Sequence, residues 1–217
     1  MRTCLAAALL ASVIAVPRAS GQEEPLCVEN SPERRGEIGC SIVETKSLPA
    51  NLKAPLFWHI DRFESLEKAR TAVGPATIAF DAHGISWLMS VESQSDNHRG
   101  GQHVAAVKLP PLPDASGYSM RVLSAYIPGG MTSRVHFHSG VEAFYTVDGE
   151  QCLETGERAY PLHKGDSLAL PAGVVMRLVA TGSTPRRAFG LIVYDSTRTP
   201  TTRLPMEMSS QLVSCKK

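Results

Sequence analysis

Beyond its first 21 residues, the sequence has no apolar run of the roughly 20 residues that a membrane-spanning helix needs. Aromatic residues make up only 6% of the chain, and 22 Lys and Arg nearly balance 21 Asp and Glu. So small a net charge gives no reason to expect nucleic acid or an anionic membrane as a partner. There is also no Cys-x-x-Cys pair of the kind that zinc and redox sites use.

The first 21 residues indicate export. Arg2 supplies a positive charge, an apolar run extends from Cys4 to Val16, and Ala19-Ser20-Gly21 offers small residues for cleavage before Gln22. This pattern is typical of a secretory signal peptide, with an uncleaved anchor as the alternative. Cleavage would remove Arg2 and Arg18 but no acid, and so change the formal charge from +1 to −1. We therefore expect a secreted or periplasmic protein that is free of the membrane after cleavage.

Four cysteines would remain after cleavage: Cys27, Cys40, Cys152 and Cys215. An even number favours disulfides in an oxidising compartment. We favour Cys27 with Cys40, which would close a short loop in a polar segment, and Cys152 with Cys215, which would fasten the C-terminal tail to a strand. The other pairings, and a free thiol at Cys152, remain alternatives.

Short alternating strands with Gly or Pro at their corners dominate the rest of the chain, which predicts an all-β fold. One short helix is expected from Phe63 to Val73, with Ser65 as its N-cap and Gly74 as its stop. The clearest strands are predicted at Ile38–Val43, Thr77–Ala82, Ile85–Val91, His103–Val107, Tyr118–Ile127, Ser167–Leu170 and Ala188–Tyr194.

Candidate metal ligands lie in the segment from residue 130 to 149. His136 and His138 are two residues apart, so in a strand their side chains share one face. A three-residue bend then leads to Glu142, which opens a second strand. Two imidazoles and a carboxylate from neighbouring strands would suit a divalent metal ion. The alternative is a pair of surface histidines on a polar strand.

The spacing G-x5-H-x-H-x3-E-x6-G over residues 130–149 resembles the first conserved motif of the cupin superfamily. That family's second motif, G-x5-P-x-G-x2-H-x3-N, is matched over residues 165–180 in both glycines and the proline. Met176 and Ala180 stand at its histidine and asparagine positions. The resemblance covers about residues 118–195 and implies a single cupin-type jelly-roll barrel, with an N-terminal strand extension and one short helix.

The sequence patterns, together with the resemblance, predict how the chain is organised. Residues 1–21 form the signal peptide, and residues 22–110 an N-terminal arm with the short helix and strands that extend the barrel sheets. Residues 111–196 form the barrel, and residues 197–217 a C-terminal tail. Cupin barrels often pair, which favours a homodimer.

Of the family's metal ligands, His136, His138 and Glu142 carry over, whereas a fourth protein ligand does not. One outcome is a site with open coordination positions, for which a single Fe or Mn ion is favoured over Zn, Ni or Cu. A second makes Met176 a soft ligand that selects copper. A third is a weakened metal site in a barrel that still binds a small molecule.

A small-molecule pocket is expected beside the metal, lined by Arg134, Phe144, Thr146, Met176 and Leu178. Arg134 would hold a substrate carboxylate through two hydrogen bonds, or else lean out into solvent. The sequence shows no nucleophile and base pair, so no catalytic residue is assigned. We expect a metal-dependent enzyme, dioxygenase- or isomerase-like, acting on a small organic molecule. The alternative is a non-catalytic cupin that binds a small molecule or a metal.

Overall fold

A computed structural model describes residues 28–29, 39–94 and 99–215. The predicted signal peptide and Cys27 lie outside these residues. The described elements are, in chain order, β1 (Val28–Glu29), β2 (Gly39–Ser47), β3 (Phe57–Phe63), α1 (Leu66–Thr71), β4 (Thr77–Ala82), β5 (Ile85–Glu92), β6 (Gln102–Lys108), β7 (Tyr118–Ile127), β8 (His136–His138), β9 (Val141–Asp148), β10 (Gln151–Thr155), β11 (Ala159–Leu162), β12 (Ser167–Leu170), β13 (Met176–Ala180), β14 (Arg186–Asp195), β15 (Thr201–Arg203) and a 3₁₀ helix (Met206–Gln211).

Two sheets face each other and enclose the interior that holds the predicted ligands. The six-stranded sheet has the order β1-β2-β7-β14-β9-β12, and the five-stranded sheet has the order β11-β10-β13-β8-β15. Strand pairs are antiparallel except for β1 with β2. No hydrogen-bond ladder joins the two sheets in the described part of the chain, so the jelly roll is a β-sandwich rather than a closed barrel. The predicted all-β class is confirmed.

A third sheet, with the order β4-β5-β3-β6, covers the outer face of the six-stranded sheet. Strand β14 is apolar on both faces: Phe189 and Leu191 pack against the third sheet, and Ile192 faces the sandwich interior. Trp58 and Trp87 of the third sheet are almost fully buried in the same contact. Burial of each such large side chain contributes about 1.5–3 kcal/mol. The strands expected to extend the barrel sheets therefore form a layer of their own, whereas β2 does join the six-stranded sheet.

The predicted helix is present but shorter than expected. Phe63 pairs with Ser86 as the last residue of β3, so helical geometry begins only after Ser65. The Ser65 hydroxyl accepts a hydrogen bond from the Lys68 amide at 3.2 Å, as an N-cap should. Ala69 is the buried residue that fixes the helix against the sheet.

Residues 197–215, which we call the C-terminal strap, return to the sandwich. Strand β15 pairs with β8, placing Thr201 opposite His138 and Arg203 opposite His136. The strap then ends at Cys215, which is disulfide-bonded to Cys152 in β10, as predicted. Cys40 is also disulfide-bonded, but its predicted partner Cys27 lies outside the described residues. Within those residues, no helix has the length and hydrophobicity that crossing a membrane requires.

Candidate functional site

Strands β8 and β9 position the predicted metal ligands. His136 and His138 are the two ends of β8, and their rings lie 5.0 Å apart at 84° to each other. Gly140 lets the chain turn into β9, because a Cβ atom there would lie 2.0 Å from the carbonyl oxygen of Val193. Glu142 follows on β9 with only 4% of its surface exposed. The three ligands thus enter the interior from opposing sheets.

The three side chains converge on one point. One donor atom from each of His136, His138 and Glu142 lies within 4.8 Å of the other two. In the described part of the chain, no other group of three His, Cys, Asp or Glu residues converges in this way. The arrangement could therefore hold a metal ion.

Hydrogen bonds at Nδ1 fix the orientation of both imidazoles. Nδ1 of His136 lies 2.7 Å from the carbonyl oxygen of Arg134. Nδ1 of His138 lies 3.2 Å from the carbonyl oxygen of Pro200 and 3.1 Å from Oγ1 of Thr201. A carbonyl only accepts, so each Nδ1 carries the proton, and each Nε2 keeps its lone pair for the interior. This is the tautomer that binds a metal through Nε2.

The contact between His138 and Glu142 tests whether these residues fit a cation. Nε2 of His138 lies 2.9 Å from Oε2 of Glu142, yet neither buried atom has a hydrogen-bond partner. With the imidazole proton held at Nδ1, two buried acceptor atoms face each other. A buried acceptor without a partner is costly, and a cation between the two atoms removes that cost. The residues present fit a metal ion.

Electrostatics keep His136 in the form that binds metal. Burial, reinforced by the neighbouring His138 ring, lowers the pKa of His136 from its ordinary value of 6.5. The imidazole is therefore neutral at physiological pH, and a metal ion need not compete with a proton for it.

A cavity of about 320 Å³ opens beside the three ligands. Of the five residues proposed for the pocket, Arg134, Phe144, Met176 and Leu178 line this cavity. Thr146 does not, because it lies deeper, fully buried, and its hydroxyl accepts a hydrogen bond from Gln151 at 2.8 Å.

Met176 lies directly opposite His136 in the pairing of β13 with β8, so its thioether shares the ligand face. It is 2% exposed and packs with Phe144, Leu153 and Leu178. These contacts make it part of the apolar wall of the cavity.

Sequence reasoning missed the cavity residues that the strap supplies. Thr201 and Arg203 both line the cavity, on a strand of only three residues within a polar tail. Arg121 and Arg186 of the six-stranded sheet line it as well. The available signal was indirect: the predicted disulfide at Cys215 would return the tail to the strand that carries Cys152.

Comparisons with known proteins give one family match and several weak structural likenesses. Residues 122–194 match the family model of the cupin domain. A cupin-like protein from Thermotoga maritima is 19% identical over 43% of this chain and 69% of its own, with a TM-score of 0.36. The polyketide cyclase RemF from Streptomyces resistomycificus is 16% identical over 45% of this chain and 74% of its own, with a TM-score of 0.35.

A variant of salicylate 1,2-dioxygenase from Pseudoaminobacter salicylatoxidans, in complex with gentisate, is also similar. The sequence identity is 20%, and the match covers 34% of this chain and 20% of that enzyme, with a TM-score of 0.31. A search of curated proteins gave no match. The structural likenesses are too weak to carry an assignment, which rests on the family model and on the motif at the centre of the sandwich. On that basis, residues 122–194 of the chain are a cupin domain.

Proposed function

We propose that this protein is an exported enzyme that uses a single metal ion to act on a small organic molecule. One observation carries the proposal: three donor atoms converge in the wall of a cavity of about 320 Å³. Three protein ligands leave coordination positions open to that cavity, where a substrate could enter. A closed structural site would instead fill its positions with protein.

The ligand set favours iron or manganese. Two imidazoles and one carboxylate are the ligands of mononuclear sites that bind oxygen or a chelating substrate. A bound metal ion would supply Lewis acidity and a template for such a substrate. The Arg134 and Pro200 carbonyls would hold the imidazoles of His136 and His138 in place.

The remaining cavity wall gives little scope for chemistry without a metal. Among the described lining residues, the side chains of a type that commonly acts as a general acid or base are His136, His138 and Glu142. Glu142, the one acid of that lining, is assigned as a ligand rather than as a general base. The apolar wall formed by Phe144, Met176 and Leu178 would exclude water from the bound substrate.

A second candidate is a non-catalytic cupin that binds a small molecule or a metal. The observation that favours it is Met176, which lies opposite His136 where the family's fourth ligand would enter. With three ligands instead of four, the site would hold its metal less tightly. The fold alone does not decide between the two functions.

Elemental analysis of the mature, exported protein tests the proposal. His138→Ala is expected to lose the metal, whereas His163→Ala should keep it, because that side chain is 66% exposed and lies outside the cavity. Oxygen uptake with a panel of phenolic substrates then tests turnover in the metal-bearing protein. Tight metal binding without turnover would favour the binding module, and retention of the metal by His138→Ala would refute the proposed centre.

A further inference from the structure

Arginines outnumber acids among the described residues that line the cavity beside the metal ligands. Four arginines line it, and Glu142 is the one acid among the described lining residues; the arginines are Arg121, Arg134, Arg186 and Arg203. Building on the proposed function, we propose that the substrate is a small organic carboxylate, held by Arg203 and Arg121 on either side of the metal ligands. A wall of one sign of charge attracts a ligand of the opposite sign and orients it.

Arg203 reaches the site from the strap. It lies directly opposite His136 in the antiparallel pairing of β15 with β8, so both side chains share the cavity face. Directly opposite residues have Cβ atoms about 4.5–5.5 Å apart. Arg203 is exposed at the cavity mouth, where its guanidinium can meet a ligand that reaches the metal.

Arg121 approaches from the opposite sheet. Glu142 pairs with Ile192, and Ile192 pairs with Arg121, so the three residues form one row across β9, β14 and β7. Two strand spacings separate Arg121 from Glu142 by about 10 Å between Cα atoms. A small molecule can span that distance once the arginine side chain extends toward it.

The guanidinium of Arg121 is held in place from one side. Its Nε donates to Oγ1 of Thr45 at 3.0 Å, and its centre lies 5.8 Å from the centroid of the Tyr194 ring. Among the described residues, the Arg121 guanidinium donates a hydrogen bond through Nε alone. A fixed guanidinium is suited to a carboxylate, which accepts two parallel hydrogen bonds from it.

The cavity wall between the metal ligands and Arg121 is apolar, and it has no room for a side chain at Gly190. Gly190 lies there, and a Cβ atom at its position would come within 3.3 Å of Leu123 and 3.7 Å of Oε1 of Glu142. Leu123, Phe144 and Ile192 line the same space. The wall therefore suits a carboxylate with an apolar body rather than a highly polar anion such as phosphate.

Calorimetric titration of the mature, metal-bearing protein tests the assignment, with benzoate and phenylacetate as probes and their neutral amides as matched controls. We expect each acid to bind at least about ten-fold more tightly than its amide, because hydrogen bonds to a charged group are the stronger kind. Arg203→Gln and Arg121→Gln should each weaken binding of the acids by about ten-fold or more and leave the amides unchanged. Arg198→Gln, an exposed arginine outside the cavity, should change neither.

Equal binding of acids and amides, failure of both acids to bind, or an equal loss in Arg198→Gln would overturn the assignment. Repeating the titration after removing the metal with EDTA separates this inference from the proposed function. A preference for acids that survives metal removal supports the arginine site even if no turnover is found. Turnover of neutral substrates without a preference for acids would refute the arginine site alone.

Discussion

Thr201 provides a test of how the strap supports the metal centre. Its hydroxyl lies 3.1 Å from Nδ1 of His138, the nitrogen that holds the proton when Nε2 binds a metal. Loss of a partner that orients a metal ligand typically costs 10–100-fold in metal affinity. The Pro200 carbonyl stays 3.2 Å from the same nitrogen and still accepts its proton. We therefore expect Thr201→Val to lower the metal affinity by about ten-fold, or 1.4 kcal/mol, which is the low end of that range.

Valine keeps the β-branched shape of threonine, so the substitution preserves the packing and strand propensity of β15. Metal affinity would be measured by competition with a chromogenic chelator at fixed pH, and the fold by circular dichroism. Thr202→Val is the matched control, because Thr202 is exposed and pairs with Phe137 rather than with a ligand. Unchanged affinity in Thr201→Val, or an equal loss in Thr202→Val, would refute the role of this hydroxyl.

Three further predictions concern stability. Replacing Cys152 and Cys215 by serine removes a disulfide between residues 63 positions apart. The free energy of unfolding, measured in urea, should fall by about 4 kcal/mol. A loss well below about 1 kcal/mol would contradict this prediction. Burial, with help from Arg187, lowers the pKa of His83 from 6.5 to about 4. Because the unfolded chain binds this proton more readily than the folded one, the contribution of His83 to the free energy of unfolding is complete above pH 6.5. It decreases by on the order of 2–3 kcal/mol as the pH falls toward 4. His83→Asn, which tolerates the φ of 55° at this position, should flatten that part of the pH profile, and a profile unchanged in this variant would disprove the assignment. Leu191→Ala opens a cavity between the six-stranded and third sheets and should lower the free energy of unfolding, measured by thermal unfolding, by about 2–5 kcal/mol. Metal affinity should not change, because Leu191 faces away from the site.

Residue alternation was sufficient to predict many strands and the ligand face. Thr77–Ala82, Tyr118–Ile127 and Ser167–Leu170 have the bounds that the sequence predicts, because Gly or Pro punctuates the chain around them. His136 and His138 share a face because side chains in a strand repeat with a period of two. These are local properties, and a sequence displays local properties directly.

The third sheet and the strap depend on contacts between distant residues. Ala188–Tyr194 is almost continuously apolar, which is typical of a strand buried on both faces, but the pattern does not say what covers the second face. Strand β15 has only three residues and no periodic pattern. Its position comes from its pairing with β8 and from the disulfide at Cys215. Neither the contact of Thr201 with His138 nor the position of Arg203 in the cavity wall could be predicted without that pairing.

The strap also sets an order on maturation of the protein. Thr201 lies 63 residues after His138, so the ligands emerge during synthesis well before the segment that orients them. The partner that orients His138 is in place only once β15 has paired with β8, and the disulfide of Cys215 fastens the end of the same strap. If the centre holds a metal as proposed, we expect stable loading to follow the pairing of β15 with β8, and to be weaker in a compartment that keeps Cys152 and Cys215 reduced.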